Sequence, residues 1–96
     1  MTKILVQNVA GSQCGTDAEG TLLKEQLLPL LKSGEDVELD FSGVELASST
    51  FFNASIGQAF EQLGEKHVRH HVSFSNLKRR VQFVLDRTLG SYAKAV

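Results

Sequence analysis

Three sets of residues in this chain could do chemistry. The first is the hydroxyl run Ser48-Ser49-Thr50, placed where the amphipathic stretch from Phe51 to Leu63 begins. Just upstream, Val37-Glu38-Leu39-Asp40-Phe41 alternates in polarity and ends in the turn residues Ser42-Gly43. A hydroxyl at a helix start can act purely as an N-cap, worth about 0.5–2 kcal/mol. Small hydroxyls there are also phosphorylation targets, because a helix amino end tolerates the roughly −1.5 to −2 charge that a phosphate adds. Ser49, Ser48 and Thr50 are therefore the candidate modified residues. Asp40, Ser42, Ser48, Ser49, Thr50 and Asn53 form the candidate contact edge, since open α/β sheets meet ligands at the carboxyl ends of their strands.

The second candidate is Cys14, in Gly11-Ser12-Gln13-Cys14-Gly15-Thr16. It lies just before a helix start, where a thiolate would be stabilised. A phosphatase-type loop wants an arginine six positions later, and Gly20 stands there. All three histidines lie far downstream, and the loop lacks the lysine of a GxxxxGK[ST] phosphate cradle. An incidental loop cysteine is the plainer reading. A small enzyme using Cys14, or the hydroxyls of Ser48 and Ser49, is an alternative.

The third set is basic. His67, His70 and His71 invite a metal reading. On an expected strand from Val68 to Phe74, however, His70 and His71 face opposite ways. His67 and His71 would lie roughly 13 Å apart at about 3.3 Å per residue. Solvated edge histidines with no metal and no cofactor are the expectation, with a pH-sensitive surface conceivable. Lys78-Arg79-Arg80, with Arg69 and Arg87, could face nucleic acid from the last helix. No stacking aromatic is evident beside them and the formal charge is −1, so a solvated helix face is expected and nucleic-acid binding is the alternative.

The elements that must position these residues follow from the apolar pattern. Strands are expected over Lys3–Val9, Val37–Phe41 and Val68–Phe74. Thr16 and Glu19 have capping-box spacing, opening a helix that Pro29 should kink or end near Leu28. A second helix runs from Ser49 to Leu63, with the stripe Phe52, Ile56, Ala59, Phe60 and Leu63, closed by Gly64. Ser75 is expected to cap a third, with inner face Leu77, Val81, Val84, Leu85 and Leu89 and Gly90 just beyond. Strand and helix alternate three times, which favours right-handed parallel crossovers. The expected fold is α/β: a small, mostly parallel sheet with about three packed helices, forming one domain over 1–96 with a frayed tail over 91–96.

Composition agrees with that reading. The hydrophobic fraction is 42% and the charged fraction 22%, with a pI near 6.3. These values suit a globular protein with no field to draw it to nucleic acid or an anionic membrane. One cysteine excludes an internal disulfide and fits a reducing compartment. No apolar run approaches the roughly 18 residues of a membrane span, nor does the amino terminus read as a secretory signal. The expected location is the cytoplasm.

The segment Val37–Gly57 resembles the core of the STAS domains, named for sulphate transporters and anti-sigma-factor antagonists. Leu39-Asp40-Phe41-Ser42-Gly43-Val44 matches the family's strand end. Laid on without gaps, its Asp-Ser-Ser-Gly turn falls on Ser48, Ser49, Thr50 and Phe51, which puts the phosphorylatable serine on Ser49 and replaces the aspartate and glycine. Closer still, Asp40-Phe41-Ser42-Gly43-Val44, Ser49-Thr50-Phe51 and Gly57 are similar to the STAS-like domains of unassigned function in bacteria and phages. Asn53 and Ala54 stand where that group usually carries acidic residues. A looser resemblance extends over residues 20–89, including Ser75-Asn76-Leu77. The resemblance implies a non-enzymatic regulatory module that binds a protein partner, for which a histidine-kinase-like ATPase is the implied candidate.

Overall fold

Val37, Leu39 and Phe41 lie on one face of the central strand and are fully buried, so the sheet is built around them. The computed structural model describes residues 1–93, with side chains through Gly90. Strand β3 (Val37–Asp40) sits between β1 (Thr2–Leu5) and β5 (Val72–Ser75), parallel to both. The register aligns Thr2 and Val72 with Val37, and Leu5 and Ser75 with Asp40. The three carboxyl ends therefore meet at Asp40. The α/β class and parallel sheet expected from the pattern are the ones observed.

Several boundaries differ. The first strand stops at Leu5, and Val6–Ala10 form a short helix, α1. Its partner strand ends at Asp40, so residues past Leu5 have no ladder to join and Gly11 N–H bonds the Gln7 carbonyl instead (2.9 Å). Helix α2 (Asp17–Lys32) runs through Pro29 without ending near Leu28. Proline there removes one donor to the carbonyl of exposed Glu25, which water can satisfy, while buried Leu27, Leu28 and Leu31 hold the last turns on the core.

The expected third strand is mostly helix. Residues Glu65–His71 form α5, and only Val72–Ser75 extend as β5. Gly64 (φ 90°) breaks the chain before the helix, and buried Val68 anchors it. A four-residue β3 offers no further pairing. Ser75 is not a cap: it belongs to β5, and its hydroxyl donates to Glu38 (2.7 Å). Helix α6 begins at Arg79 and passes through Gly90 to Ala93. Of the expected frayed tail, Ser91–Ala93 are thus helical, and residues 94–96 lie outside the described ones.

Two features had no counterpart in the pattern. Gln13–Cys14 (β2) and Leu46–Ala47 (β4) form a two-residue parallel ladder. The helix expected over Ser49–Leu63 is a single rod in three parts: α3 (Ser49–Phe52), a π turn (Asn53–Gly57) and α4 (Gln58–Leu63). Counting the rod once, five helices pack on the sheets among the described residues, against about three expected. The rod meets α2 closely at Gly20, where any Cβ would lie 2.6 Å from both the Ala54 Cβ and the Phe51 carbonyl oxygen. Phe41, Phe51 and Phe52 fill the space between rod and sheet, with ring centroids 6.0 and 5.2 Å apart along the series Phe41–Phe52–Phe51. Among the described residues no helix is long and apolar enough to cross a membrane.

Candidate functional site

The hydroxyl run hangs from the small ladder and not directly from the end of β3. After Asp40 the chain turns at Phe41–Val44, where Val44 N–H bonds the Phe41 carbonyl (3.0 Å) and Gly43 takes the positive φ of 80° that the turn requires. It then enters β4, and Ser48 N–H extends the pairing to the Cys14 carbonyl (3.0 Å). The Ser48 hydroxyl donates to the Gly15 carbonyl (3.0 Å) and accepts from Phe51 N–H (3.1 Å). Ser48 is therefore the N-cap of the rod and a tie to the start of α2.

Ser49 and Thr50 are exposed. Ser49 and Asn53, one turn apart on the rod, line a cleft of about 330 Å³ whose other residues are Val84, Arg87 and Thr88 of α6. Thr88 is buried and its hydroxyl donates to the Val84 carbonyl (2.9 Å). Among the described residues, the charged side chain lining the cleft is a cation, Arg87. The structure thus separates the three hydroxyls: one is consumed in the fold and two face outward, Ser49 into the cleft.

Asp40 has a different setting. Its side chain is only 5% exposed. One carboxylate oxygen accepts from Ser42 N–H (2.9 Å), the Ser42 hydroxyl (2.7 Å) and the Asn76 amide (2.9 Å). The other lies 3.3 Å from Lys3 Nζ. The Asn76 amide, then the Ser42 donors, hold this carboxyl far below its ordinary range. Asn76 turns back with φ 57°, a value asparagine tolerates well. Asp40, at the end of β3, therefore ties in Lys3 of β1 and Asn76 just past β5, beneath an exposed Ser42.

A family model for the STAS-like domain of unknown function (DUF4325) matches residues 19–82. The chain belongs to this family. No curated protein and no solved structure matches it. The matched segment holds Asp40, Ser42, the hydroxyl run and Asn53, but stops short of Arg87 and Thr88. The cleft of this STAS-like domain is thus half family segment and half the later part of α6.

The remaining candidates lie elsewhere. Cys14 is buried in β2, and its thiol donates to the Gly11 carbonyl (3.4 Å). Burial, reinforced by the Glu19 charge, pushes its pKa up to about 11, opposite to the thiolate stabilisation expected from its place before a helix. Glu19 itself accepts from Thr16 N–H (2.9 Å) and Gly15 N–H (3.1 Å), keeping the expected pairing with Thr16.

The histidines sit on a helix and not a strand, so His67 and His71 are adjacent, with ring centroids 4.6 Å apart where about 13 Å was expected on a strand. His67 Nε2 meets the Leu31 carbonyl (2.8 Å) and His71 Nδ1 the Asp36 carboxylate (2.7 Å). Among the described residues no cluster of three or more histidine, cysteine or acidic side chains could hold a metal ion.

The basic residues are dispersed. Lys78 pairs with Glu45 (2.6 Å) and Arg69 with Glu65 (2.6 Å). Arg87 instead sits over the ring of Phe83, 5.6 Å from its centroid. Phe83 is 60% exposed, an aromatic beside the arginines that the sequence reading overlooked. Its helical position four residues from both Arg79 and Arg87 was the available signal. The π turn was also unread. Ser55 stabilises it from within, its buried hydroxyl donating to the Phe51 carbonyl (2.8 Å), and nothing in its residue types distinguishes it from ordinary helix.

Proposed function

We propose that this STAS-like domain is a cytoplasmic, non-enzymatic regulatory module that docks a protein partner through the edge around Ser49, Thr50 and Asn53. Ser48 caps the rod at that edge, while Asp40 and Ser42 bond one another at the end of β3. The observation that carries the reading is the division of labour among the hydroxyls: Ser48 is spent as a cap, while Ser49 is exposed and lines a cleft with Asn53 and Arg87. In the sharper form a histidine-kinase-like ATPase phosphorylates Ser49. The serine oxygen forms a bond to the γ-phosphorus of ATP, ADP leaves, and the hydroxyl proton passes to a base of the kinase. The fold needs no rearrangement, and the added charge changes what can dock.

The test is capture from the native host lysate with immobilised wild type, Ser49→Asp, Ser49→Ala and Ser48→Ala. A partner held by wild type and Ser49→Ala but lost with Ser49→Asp supports the switch. Equal capture by wild type and Ser49→Asp contradicts it.

Nucleic-acid binding is the second reading, favoured by the exposed ring of Phe83 between Arg79 and Arg87 on α6. It requires oligonucleotide binding that weakens with salt and with Phe83→Ala. Absence of such binding at low ionic strength removes it.

A further inference from the structure

We propose that Arg87 is the receiver of a phosphoryl group on Ser49, so that modification links the rod to α6 across the cleft. The inference rests on the reading of Ser49 as a phosphorylation site. It goes beyond that reading by naming the residue that answers the new charge.

The cleft brings together side chains from distant parts of the chain. Ser49 and Asn53 come from the rod, and Val84, Arg87 and Thr88 from α6. Its volume of about 330 Å³ leaves room for a phosphoryl group and ordered water. No acid lines it. Asp86, the carboxylate next to Arg87 in sequence, accepts a bond from Gln82 along the outer face of α6 (2.9 Å). Among the described contacts, the Arg87 guanidinium has only the exposed ring of Phe83.

An exposed cation–π contact is weak beside a charge-assisted, bidentate arginine–phosphate pair. A phosphate on Ser49 therefore competes well for the guanidinium. The consequence concerns more than charge. A dianion held by Arg87 closes the cleft, withdraws the arginine from the surface and uncovers the Phe83 ring. The docking edge would change in both shape and polarity.

The experiment uses the full chain with phosphoserine installed at position 49 during translation, so no kinase is needed. The phosphate is titrated by phosphorus NMR in wild type, Arg87→Gln and Arg87→Lys backgrounds. An unperturbed second pKa lies near 6. The proposal expects a value about one unit lower in the wild-type background, a return toward 6 in Arg87→Gln, and partial retention in Arg87→Lys. A second readout is the Phe83 ring signal, which should shift on phosphorylation only when Arg87 is present. A phosphate pKa near 6 in all three backgrounds overturns the proposal, as does a lowered pKa that ignores Arg87→Gln. Whether host kinases modify Ser49 is a separate measurement, so the receiver can fail while the phosphorylation site stands, or the reverse.

Discussion

Two glycine-to-alanine substitutions should move stability in opposite directions, and together they test how the rod is held. Gly20 lies in α2 where the helix crosses the rod. A Cβ there falls 2.6 Å from the Ala54 Cβ and 2.6 Å from the Phe51 carbonyl oxygen, against 3.4–4 Å for ordinary contact. The helices must separate by close to an ångström, and the Phe51 carbonyl is already the acceptor for Ser55. Overpacking of this kind costs about 1–3 kcal/mol. Alanine returns about 0.8–1.0 kcal/mol of helix propensity relative to glycine.

Gly20→Ala should therefore be destabilised by about 1 kcal/mol net. For a domain of this size that lowers Tm by roughly 4–8 °C. Gly90, within α6, has nothing among the described residues within 4 Å of its Cβ position, so Gly90→Ala gains helix propensity without that clash and should melt higher than wild type. Both variants are followed by circular dichroism melts and by urea titration, where the midpoint should move with no change in slope. If Gly20→Ala is as stable as wild type or more so, the close crossing of α2 and the rod is refuted.

Three further outcomes follow from particular contacts. Ser48→Ala should lose about 0.5–2 kcal/mol as a missing cap, whereas Ser49→Ala should stay within about 0.5 kcal/mol of wild type; thermal melts compare them, and equal losses would contradict the assigned roles. Asp40 has a depressed pKa in the folded chain and titrates near 3.8 when unfolded, so its stabilisation is present above that value and drains away as pH falls below it. Urea midpoints at pH 6 and pH 2.5 should show a smaller acid loss in Asp40→Asn; an unchanged loss would count against the Asn76 and Ser42 bonds. Cys14 should resist Ellman's reagent at pH 8 and react fully in denaturant, while prompt labelling of the native chain would contradict its burial.

Where polarity alternates or recurs over many residues, the sequence was legible. Val37 and Leu39 of β3 with Phe41 just past it form one buried face, and Phe52, Ile56, Ala59 and Phe60 the buried stripe of the rod, as their spacing implies. Short elements carry no such period. The ladder of Gln13–Cys14 with Leu46–Ala47 is two residues long and exists only because the tertiary fold brings those segments together. Val68 to Phe74 reads as a strand because apolar residues are frequent, yet Glu65, Lys66 and Arg69 support a helix and tertiary packing decides for it.

The cleft was half legible for a similar reason. Local spacing marked the hydroxyl run, and the family pattern singled out Ser49 within it. Arg87 meets it only through the packing of α6, and Asn76 meets Asp40 only through the register of β5.

The central claim is that Ser49, not Ser48 or Thr50, is the group on which regulation acts. Intact-mass analysis of the protein after incubation in native host lysate with ATP tests it most directly. The expected result is a gain of one phosphoryl group, abolished in Ser49→Ala and retained in Ser48→Ala and Thr50→Ala. A gain that survives Ser49→Ala, or no gain in any background, contradicts it.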